Sequence, residues 1–138
     1  MKPHLLIVDD DLELQALFQL ILGRSFEISQ AVYGEQAVTL ALNSSPNLVL
    51  LDVMLPDIDG FEVCRRLKAD NRTRSIPVML VTARADVLSL VEAQNLPVAD
   101  VIRKPFAPHE LLQRVNKILQ RPGASRETGK LRPLTAPV

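Results

Sequence analysis

The sequence predicts an α/β fold in which five parallel strands form one sheet covered by helices on both faces. Three observations support this prediction. Short apolar runs alternate with longer amphipathic stretches along the chain. Three of the short runs are continuously apolar, as strands buried on both faces are. The amphipathic stretches repeat their apolar residues every three to four positions, which is the period of a helix packed on one side.

Composition places the chain among ordinary globular domains. It has 138 residues, 47 % hydrophobic and 23 % charged, with equal numbers of basic and acidic side chains. This balance argues against a dedicated nucleic-acid binder. The single cysteine, Cys64, excludes an internal disulfide and a multi-cysteine zinc site. Without an apolar run of roughly 20 residues or a signal-peptide core, we expect a cytoplasmic protein with no direct nucleic-acid or membrane partner.

Five strands and five helices are predicted in strict alternation. Residues 5–8, 48–51 and 78–81 are the continuous apolar runs, while 26–29 and 101–102 are alternating or short, as edge strands are. A stop at Gly23 suits the first helix, and Pro108 suits the start of the fifth. The apolar positions that define the helices are, in order, Leu14, Leu17, Phe18 and Ile21; Val38, Ala41 and Leu42; Phe61, Cys64 and Leu67; Val87, Leu90 and Val91; and Leu111, Leu112, Val115, Ile118 and Leu119.

This alternation predicts how the sheet is wound. Right-handed crossovers place the helices on both faces, and five such units commonly take the strand order 2-1-3-4-5. The expected fold is therefore a flavodoxin-like, doubly wound (βα)5 sandwich. We assign it to residues 1–120. Residues 121–138 are rich in Pro, Gly, Ser, Thr and charge without periodicity, and we expect a disordered tail or a linker stub there.

Charged and polar side chains follow four of the predicted strands. Asp9 and Asp10 follow the first, Asp52 the third, Thr82 the fourth and Lys104 the fifth. Ligands bind at this edge of such sheets. Two carboxylates about 4 Å apart repel by roughly 4 kcal/mol at an effective dielectric near 20, and Mg²⁺ relieves such repulsion. The sequence therefore predicts a site for Mg²⁺ and a phosphoryl group, with Asp52 as the nucleophile.

Four motifs carry a resemblance to a known family. They are Leu-Ile-Val-Asp-Asp-Asp at 6–11, Leu-Leu-Asp-Val-Met-Leu-Pro-Asp-Ile-Asp-Gly at 50–60, Val-Thr-Ala at 81–83 and Lys-Pro-Phe at 104–106. Each follows or ends a predicted strand. Over residues 2–120 the sequence resembles the receiver domain of bacterial two-component response regulators. One motif alone is weak evidence, but all four in this order are highly specific.

The resemblance implies a phosphorylation-controlled signalling switch. Asp52 would accept a phosphoryl group from the phosphohistidine of a sensor histidine kinase or from a phosphotransfer protein. Mg²⁺ would be held by Asp9, Asp10, Asp52 and the backbone carbonyl of Met54. The chain would be no enzyme in the usual sense, because it would catalyse only its own phosphoryl transfer and autodephosphorylation.

The remaining roles also come from the resemblance. Thr82 and Lys104 would contact the phosphoryl oxygens, and the amides of Met54 and Ala83 would help to cradle the group. The bond between Lys104 and the following proline is often cis in this family. Output would pass through the fourth helix, fifth strand and fifth helix to a partner, a missing effector domain or a second copy of the chain. Val101 stands where many members carry a Tyr or Phe that reports the movement of the threonine.

Simpler interpretations of single motifs remain open at this stage. The acids at 9–11 are also typical of a helix start, and Asp10 with Glu13 fits a capping box. A lone Thr82 fits an N-cap. The stretch 57–60 is too short for an EF-hand calcium loop and lacks the distal Glu. We interpret it as a turn in which Asp59 caps the third helix.

Three other functions compete with the switch. A phosphohydrolase of the haloacid dehalogenase type would want a second aspartate at position 54, where Met54 stands. A receiver-like module that works without phosphate would not need the Asp, Thr and Lys set. A nucleotide-binding domain would carry a glycine-rich loop after its first strand, and this sequence has none there.

Overall fold

Strands and helices alternate five times along the chain. The computed structural model describes residues 2–127, with side chains for residues 2–120. The strands are β1 (His4–Val8), β2 (Glu27–Ala31), β3 (Leu48–Leu51), β4 (Val78–Thr82) and β5 (Asp100–Arg103). The helices are α1 (Leu12–Leu22), α2 (Gly34–Ser44), α3 (Gly60–Ala69), α4 (Val87–Ala93) and α5 (Pro108–Glu127). The predicted elements are all present, with bounds shifted by a few residues.

The five strands form one parallel sheet in the order β2-β1-β3-β4-β5, which confirms the predicted winding. The register pairs Val8 with Leu51, and Leu51 with Leu80. The residues that follow β1 and β3, Asp9 and Asp52, therefore leave the sheet at the same level. This register places their carboxylates side by side.

Each face of the sheet has its own apolar core, which explains why the central strands are continuously apolar. Leu6, Val8, Val49 and Leu51 point towards α2, α3 and α4. Their neighbours in sequence point towards α1 and α5, where they pack with Phe18, Leu22, Leu111 and Val115, among others. Without tryptophan and with few aromatics, both cores are filled by branched aliphatic side chains, and Cys64 is one of the small buried residues on α3.

Helix α1 begins one residue later than the capping-box interpretation requires. Its N-cap is Asp11, whose carboxylate accepts hydrogen bonds from the amides of Glu13 and Leu14 at 3.0 and 3.2 Å. The pairing of Asp10 with Glu13 as a capping box is therefore wrong. Asp10 is left exposed at the sheet edge, where its carboxylate is available to the site.

The buried side of α1 also differs from the predicted one. Phe18 is buried as expected, but Leu17 is 39 % exposed, and the buried residues of this helix are Gln15, Phe18 and Leu22. The helix is turned so that the Gln15 amide reaches backbone carbonyl groups at the ends of β1 and β2. A buried side-chain amide needs hydrogen-bond partners inside the protein, so hydrogen bonding, rather than hydropathy alone, sets the phase of this helix.

The last helix extends past the boundary drawn from the sequence. Helix α5 starts at Pro108, as predicted, and continues to Glu127, seven residues beyond Gln120. The rest of the predicted tail, 128–138, lies outside the described residues. Within the described part of the chain, no helix combines the length and apolar character that crossing a membrane requires.

Helix α2 receives its N-terminal cap from a distant loop. Its own N-cap residue, Tyr33, makes no side-chain capping bond. Instead, the Asp57 carboxylate, in the loop after β3, accepts hydrogen bonds from the amides of Gly34 and Glu35 at 2.7 and 2.9 Å. These bonds, led by the one from Glu35, lower the pKa of Asp57 to about 2. A Cβ at Gly34 would lie 2.5 Å from Ile58 Cγ1, so the loop packs closely against the start of α2.

We predict that Asp57→Ala lowers the melting temperature by a few degrees, because two amides at the α2 N-terminus lose their acceptor. A carboxyl group whose pKa is lower in the folded state than in the unfolded state stabilises the protein at pH values above the unfolded-state pKa. The difference in melting temperature between Asp57→Ala and wild type should therefore be largest well above pH 3.8, and it should narrow as the pH falls towards 2. Thermal unfolding across pH measures it.

The matched control is Asp86→Ala, which removes an acid at the start of α4 that makes no capping bond. It should change the melting temperature much less, since its exposed pair with Arg84 contributes little. Equal shifts in both variants would show that Asp57 does not cap α2.

Candidate functional site

The carboxyl ends of four strands bring together the side chains predicted to form the site. Asp9 follows β1 and Asp52 follows β3, and both are buried. The Asp52 amide donates to the Val8 carbonyl at 3.0 Å, which continues the pairing of the two strands up to the acids. Thr82 ends β4, and Lys104 follows β5. The edge identified from the sequence is thus where these residues meet.

One ammonium group joins two of the carboxylates. Lys104 Nζ lies 2.7 Å from Asp9 Oδ2 and 2.8 Å from Asp52 Oδ2. The lysine side chain is 18 % exposed. Burial acts to lower its pKa, but the hydrogen bonds to Asp52 and Asp9 outweigh burial and hold the pKa above its ordinary value. Lys104 therefore stays protonated and offers a fixed positive charge beside both acids.

Asp9 is the most enclosed acid of the site. Its Oδ1 accepts a hydrogen bond from the Asp11 amide at 2.9 Å, while its Oδ2 faces Lys104. Burial raises the pKa of Asp9 above its ordinary value, and the charge of Asp52 adds to that effect, against the opposing hydrogen bonds. The ionised form is thus under-stabilised by the protein alone. A further positive charge at this place would be favourable.

Asp52 is held by the loop that it starts. Its Oδ1 accepts a hydrogen bond from the Met54 amide at 3.0 Å, and its Oδ2 accepts from Lys104. The loop then returns tightly, because the Gly60 amide donates to the Val53 carbonyl at 2.8 Å. A Cβ at Gly60 would lie 2.4 Å from the Asp52 carbonyl oxygen, so only glycine allows α3 to begin this close. Asp59 caps α3, as predicted, through the amide of Glu62.

Thr82 is completely buried at the end of β4. Its Oγ1 accepts a hydrogen bond from the Arg84 amide at 3.3 Å, and among the described residues its hydroxyl donates no hydrogen bond. The interpretation of Thr82 as an N-cap is wrong, because α4 begins after Asp86. Ala83 follows Thr82 and is exposed. A buried hydroxyl at the end of β4 and an exposed residue directly after it therefore lie beside the strand that Asp52 follows.

The acids fit a divalent cation. Asp9, Asp10 and Asp52 each offer one oxygen, and these oxygens lie within 4.8 Å of one another. Octahedral Mg²⁺ with oxygens at about 2.1 Å keeps its ligands within roughly 4.2 Å of one another, so the observed spacing is close to that of such a set. Oxygen donors alone, two buried and one exposed, suit a hard cation that keeps some of its water. The Met54 side chain is exposed, and its thioether sulfur is a soft donor that a hard cation does not favour.

Sequence reasoning missed Gln15, which is buried behind the acids. Its Nε2 donates to the Asp9 carbonyl at 3.0 Å. A signal was present, since Gln15 stands three residues before Phe18 and seven before Leu22, in the stripe that α1 buries. A polar residue in that stripe needs partners inside the protein. The peptide bond between Lys104 and Pro105 is cis, as the resemblance implied.

Comparison with known proteins agrees with this architecture. Residues 5–116 match the family model of the response regulator receiver domain. The DNA-binding dual master transcriptional regulator RpaA of Synechocystis sp. is 38 % identical over 120 residues, which are 86 % of this chain and 50 % of that protein. The chain thus spans about half the length of the curated relatives it matches.

Two solved structures extend the comparison. A putative response regulator from Chloroflexus aurantiacus is 34 % identical with a TM-score of 0.80, covering 88 % of this chain and all of that chain. The receiver domain of the sensor histidine kinase PA1611 from Pseudomonas aeruginosa, with a magnesium ion coordinated in its active site cleft, is 27 % identical with a TM-score of 0.75, covering 88 % of this chain and 97 % of the other. The five-stranded order, the acidic edge and the family match together place this chain in the response regulator receiver domain family.

Proposed function

We propose that this chain is a signalling switch in which Asp52 accepts a phosphoryl group and partner binding changes as a result. One observation supports the proposal most strongly: Lys104 bridges Asp9 and Asp52 within a cluster of three carboxylates. That cluster combines a nucleophile, a charge for phosphoryl oxygens and oxygen ligands for a cation. We assign these properties to a receiver unit at residues 1–120.

The phosphoryl donor is proposed to be the phosphohistidine of a sensor histidine kinase or of a phosphotransfer protein. An oxygen of the Asp52 carboxylate attacks the phosphorus, a P–O bond forms, and the P–N bond breaks with its electron pair leaving on the imidazole nitrogen. Lys104 Nζ, 2.8 Å from Asp52 Oδ2, is within reach of an oxygen on the transferred group. The Thr82 hydroxyl and the amides of Met54 and Ala83 are the further donors proposed.

The metal proposed for this reaction is Mg²⁺, held by Asp9, Asp10, Asp52 and the Met54 carbonyl. When bound, it offsets the negative charges of the carboxylates and of the phosphoryl oxygens, as the cations of phosphoryl-transfer sites do. Three ionised carboxylates and one ammonium leave the cluster with two net negative charges. A divalent cation balances them. The proposal includes no other substrate: the unit's chemistry is its own phosphorylation and the hydrolysis of the resulting acyl phosphate.

Phosphorylation is proposed to bias an existing equilibrium rather than to build a new fold. Lys104 is engaged by two carboxylates in the described state, and phosphoryl oxygens would compete for it and for the Thr82 hydroxyl. Both residues stand at the ends of strands that lead into α4 and α5. The surface of α4, β5 and α5 is therefore proposed to carry the output. Val101, on β5, is half-buried against the core cluster under α2, α3 and α4, so no aromatic ring reports the change there.

The output partner is proposed to be a second copy of this chain, another protein or an effector domain. Relatives such as RpaA are DNA-binding regulators, and an effector domain, not this unit, would contact DNA in such a protein.

Leu88 of α4, on the proposed output surface, is largely exposed. Arg114 pairs with Asp100 at 3.1 Å and with Glu110 at 3.2 Å within the chain, which agrees with local ion pairs. Light scattering with and without a phosphoryl mimic discriminates between a second copy of the chain and another partner: a monomer in both states excludes self-association as the output.

We propose a cytoplasmic location, where such kinases transfer phosphate.

We predict that incubation with acetyl phosphate and Mg²⁺ adds one phosphoryl group to the wild-type chain, seen as a single adduct in the intact mass. Asp52→Asn should abolish the adduct because the nucleophile is gone, and a chelator should abolish it in wild type. Asp57→Asn is the matched control, since it changes an acid of the same loop outside the cluster, and it should keep the adduct. An unmodified wild type that still binds Mg²⁺ would favour a module that works without phosphate.

We predict that Lys104→Met destabilises the metal-free protein by about 3 kcal/mol, because two buried carboxylates lose their shared partner. Mg²⁺ should then raise the melting temperature of this variant more than that of wild type, since it supplies the missing charge. Thermal unfolding in chelator and in saturating Mg²⁺ measures both effects. Lys117→Met, on the exposed side of α5, serves as the control. Identical Mg²⁺-induced shifts in variant and wild type would contradict this charge balance.

A further inference from the structure

A buried amide lies directly behind the acidic edge. Gln15 of α1 is 3 % exposed. Its Nε2 lies 3.1 Å from the Ile7 carbonyl oxygen, 3.0 Å from that of Asp9 and 3.1 Å from that of Ala31. These carbonyl groups belong to the ends of β1 and β2 and to the first residue of the acidic turn. One side chain therefore joins both strand ends to the residue that carries the buried acid.

The orientation of this amide follows from its surroundings. Three carbonyl oxygens surround Nε2, while Oε1 is buried and has no hydrogen-bond partner among the described residues. Turning the amide round would place its oxygen, which cannot donate, against three carbonyl oxygens. The Ala31 carbonyl would keep the Asp9 amide as a donor, but the contact from Gln15 to each of the three would become repulsive. Leaving one buried acceptor unpaired is the smaller loss. Gln15 therefore acts here as a donor towards the ends of β1 and β2.

The amide holds the part of the backbone that positions two acids. The Asp9 amide donates to the Ala31 carbonyl at 3.0 Å, and the Asp9 carbonyl accepts from Gln15. Both sides of the Asp9 backbone are thus fixed. The carboxylate of Asp10, by contrast, makes no hydrogen bond or ion pair with any described residue, and it is exposed. Its place therefore depends on the peptide between Asp9 and Asp10, whose carbonyl Gln15 holds.

Gln15 also holds this turn without adding charge. The cluster of three carboxylates and one ammonium keeps two net negative charges when all are ionised. A lysine or arginine at position 15 could donate to the same carbonyl groups, but it would offset one of those charges and weaken the attraction for a divalent cation. A neutral donor avoids this loss.

We propose that Gln15 is a positioning residue for the Mg²⁺ site: its neutral amide clamps the Asp9 backbone and so presents Asp9 and Asp10 together to the cation. The inference rests on the proposed function, which supplies the metal. Groups that orient metal ligands change metal affinity by about 10- to 100-fold when they are removed. The clamp acts on the backbone, not on a ligand atom, so an effect at the lower end of that range is expected.

The test is the Kd of Mg²⁺ alone, measured by titration calorimetry well below the melting temperature. Gln15→Met keeps the length of the side chain, removes the donor and also removes the unpaired oxygen. It should weaken Mg²⁺ binding about tenfold. Phosphorylation by acetyl phosphate should stay near the wild-type rate at saturating Mg²⁺, while the Mg²⁺ concentration for half that rate rises in parallel with the Kd. An unchanged rate at saturating Mg²⁺ together with a raised Mg²⁺ requirement would not follow from a loss of stability alone.

Thr73→Val is the matched control. Thr73 is fully buried and donates to the Leu67 carbonyl at 2.7 Å, in the loop that enters β4 from the opposite edge of the sheet. It should lower the melting temperature and leave the Kd of Mg²⁺ unchanged. Gln15→Arg is the second variant, since it retains donors but adds charge, and it should also bind Mg²⁺ more weakly than wild type.

Wild-type affinity in Gln15→Met, or in Gln15→Leu if the methionine variant fails to fold, would overturn the positioning role. Wild-type affinity in Gln15→Arg would overturn the part of the argument that rests on the neutral charge of Gln15. A wild-type chain that binds no Mg²⁺ would instead remove the metal site of the proposed function, and the inference with it. The two failures are thus distinguished by the wild-type titration. A tenfold loss in Gln15→Met with an unchanged Thr73→Val would establish the role.

Discussion

The contact on which the rest of the site depends is the bridge from Lys104 to Asp9 and Asp52. Two buried carboxylates on adjacent strands would destabilise the fold if they stood alone, and one ammonium group offsets only part of their charge. A third acid, Asp10, stands beside them without compensation. The arrangement is stable enough to form and still lacks positive charge. We propose that this imbalance gives the edge an affinity for a cation and for the phosphoryl group that a cation accompanies.

The loops around this edge are held by contacts that lie away from the acids. Gly60 allows the loop after Asp52 to return closely to the sheet, and Asp57 fastens the same loop to the start of α2. Gln15 fastens the turn after β1 from behind. Each of these residues acts on the backbone near an acid of the site. It thereby limits the positions of that acid without contacting the acid's carboxylate. The chemistry of the site thus rests on a backbone frame as much as on its charged groups.

Much of this architecture could be predicted from local pattern. Continuous apolar runs marked the central strands, and parallel pairing then required the acids that follow them to meet. What local pattern did not contain were the contacts between distant segments. The cap that Asp57 provides for α2 joins residues more than twenty positions apart, and the exposure of Leu17 follows from the carbonyl groups that Gln15 must reach. Hydropathy predicts which side of a helix is apolar, but hydrogen bonds set its final phase.

This cluster is proposed to make one particular carboxylate, that of Asp52, the phosphoryl acceptor. Reduction of the acyl phosphate with borohydride after treatment with acetyl phosphate and Mg²⁺, followed by peptide mass mapping, tests it most directly. The reagent converts a phosphorylated aspartate to homoserine and thereby marks its position. We expect the mark at Asp52 alone. A mark at Asp9, Asp10 or an acid outside the cluster would contradict it.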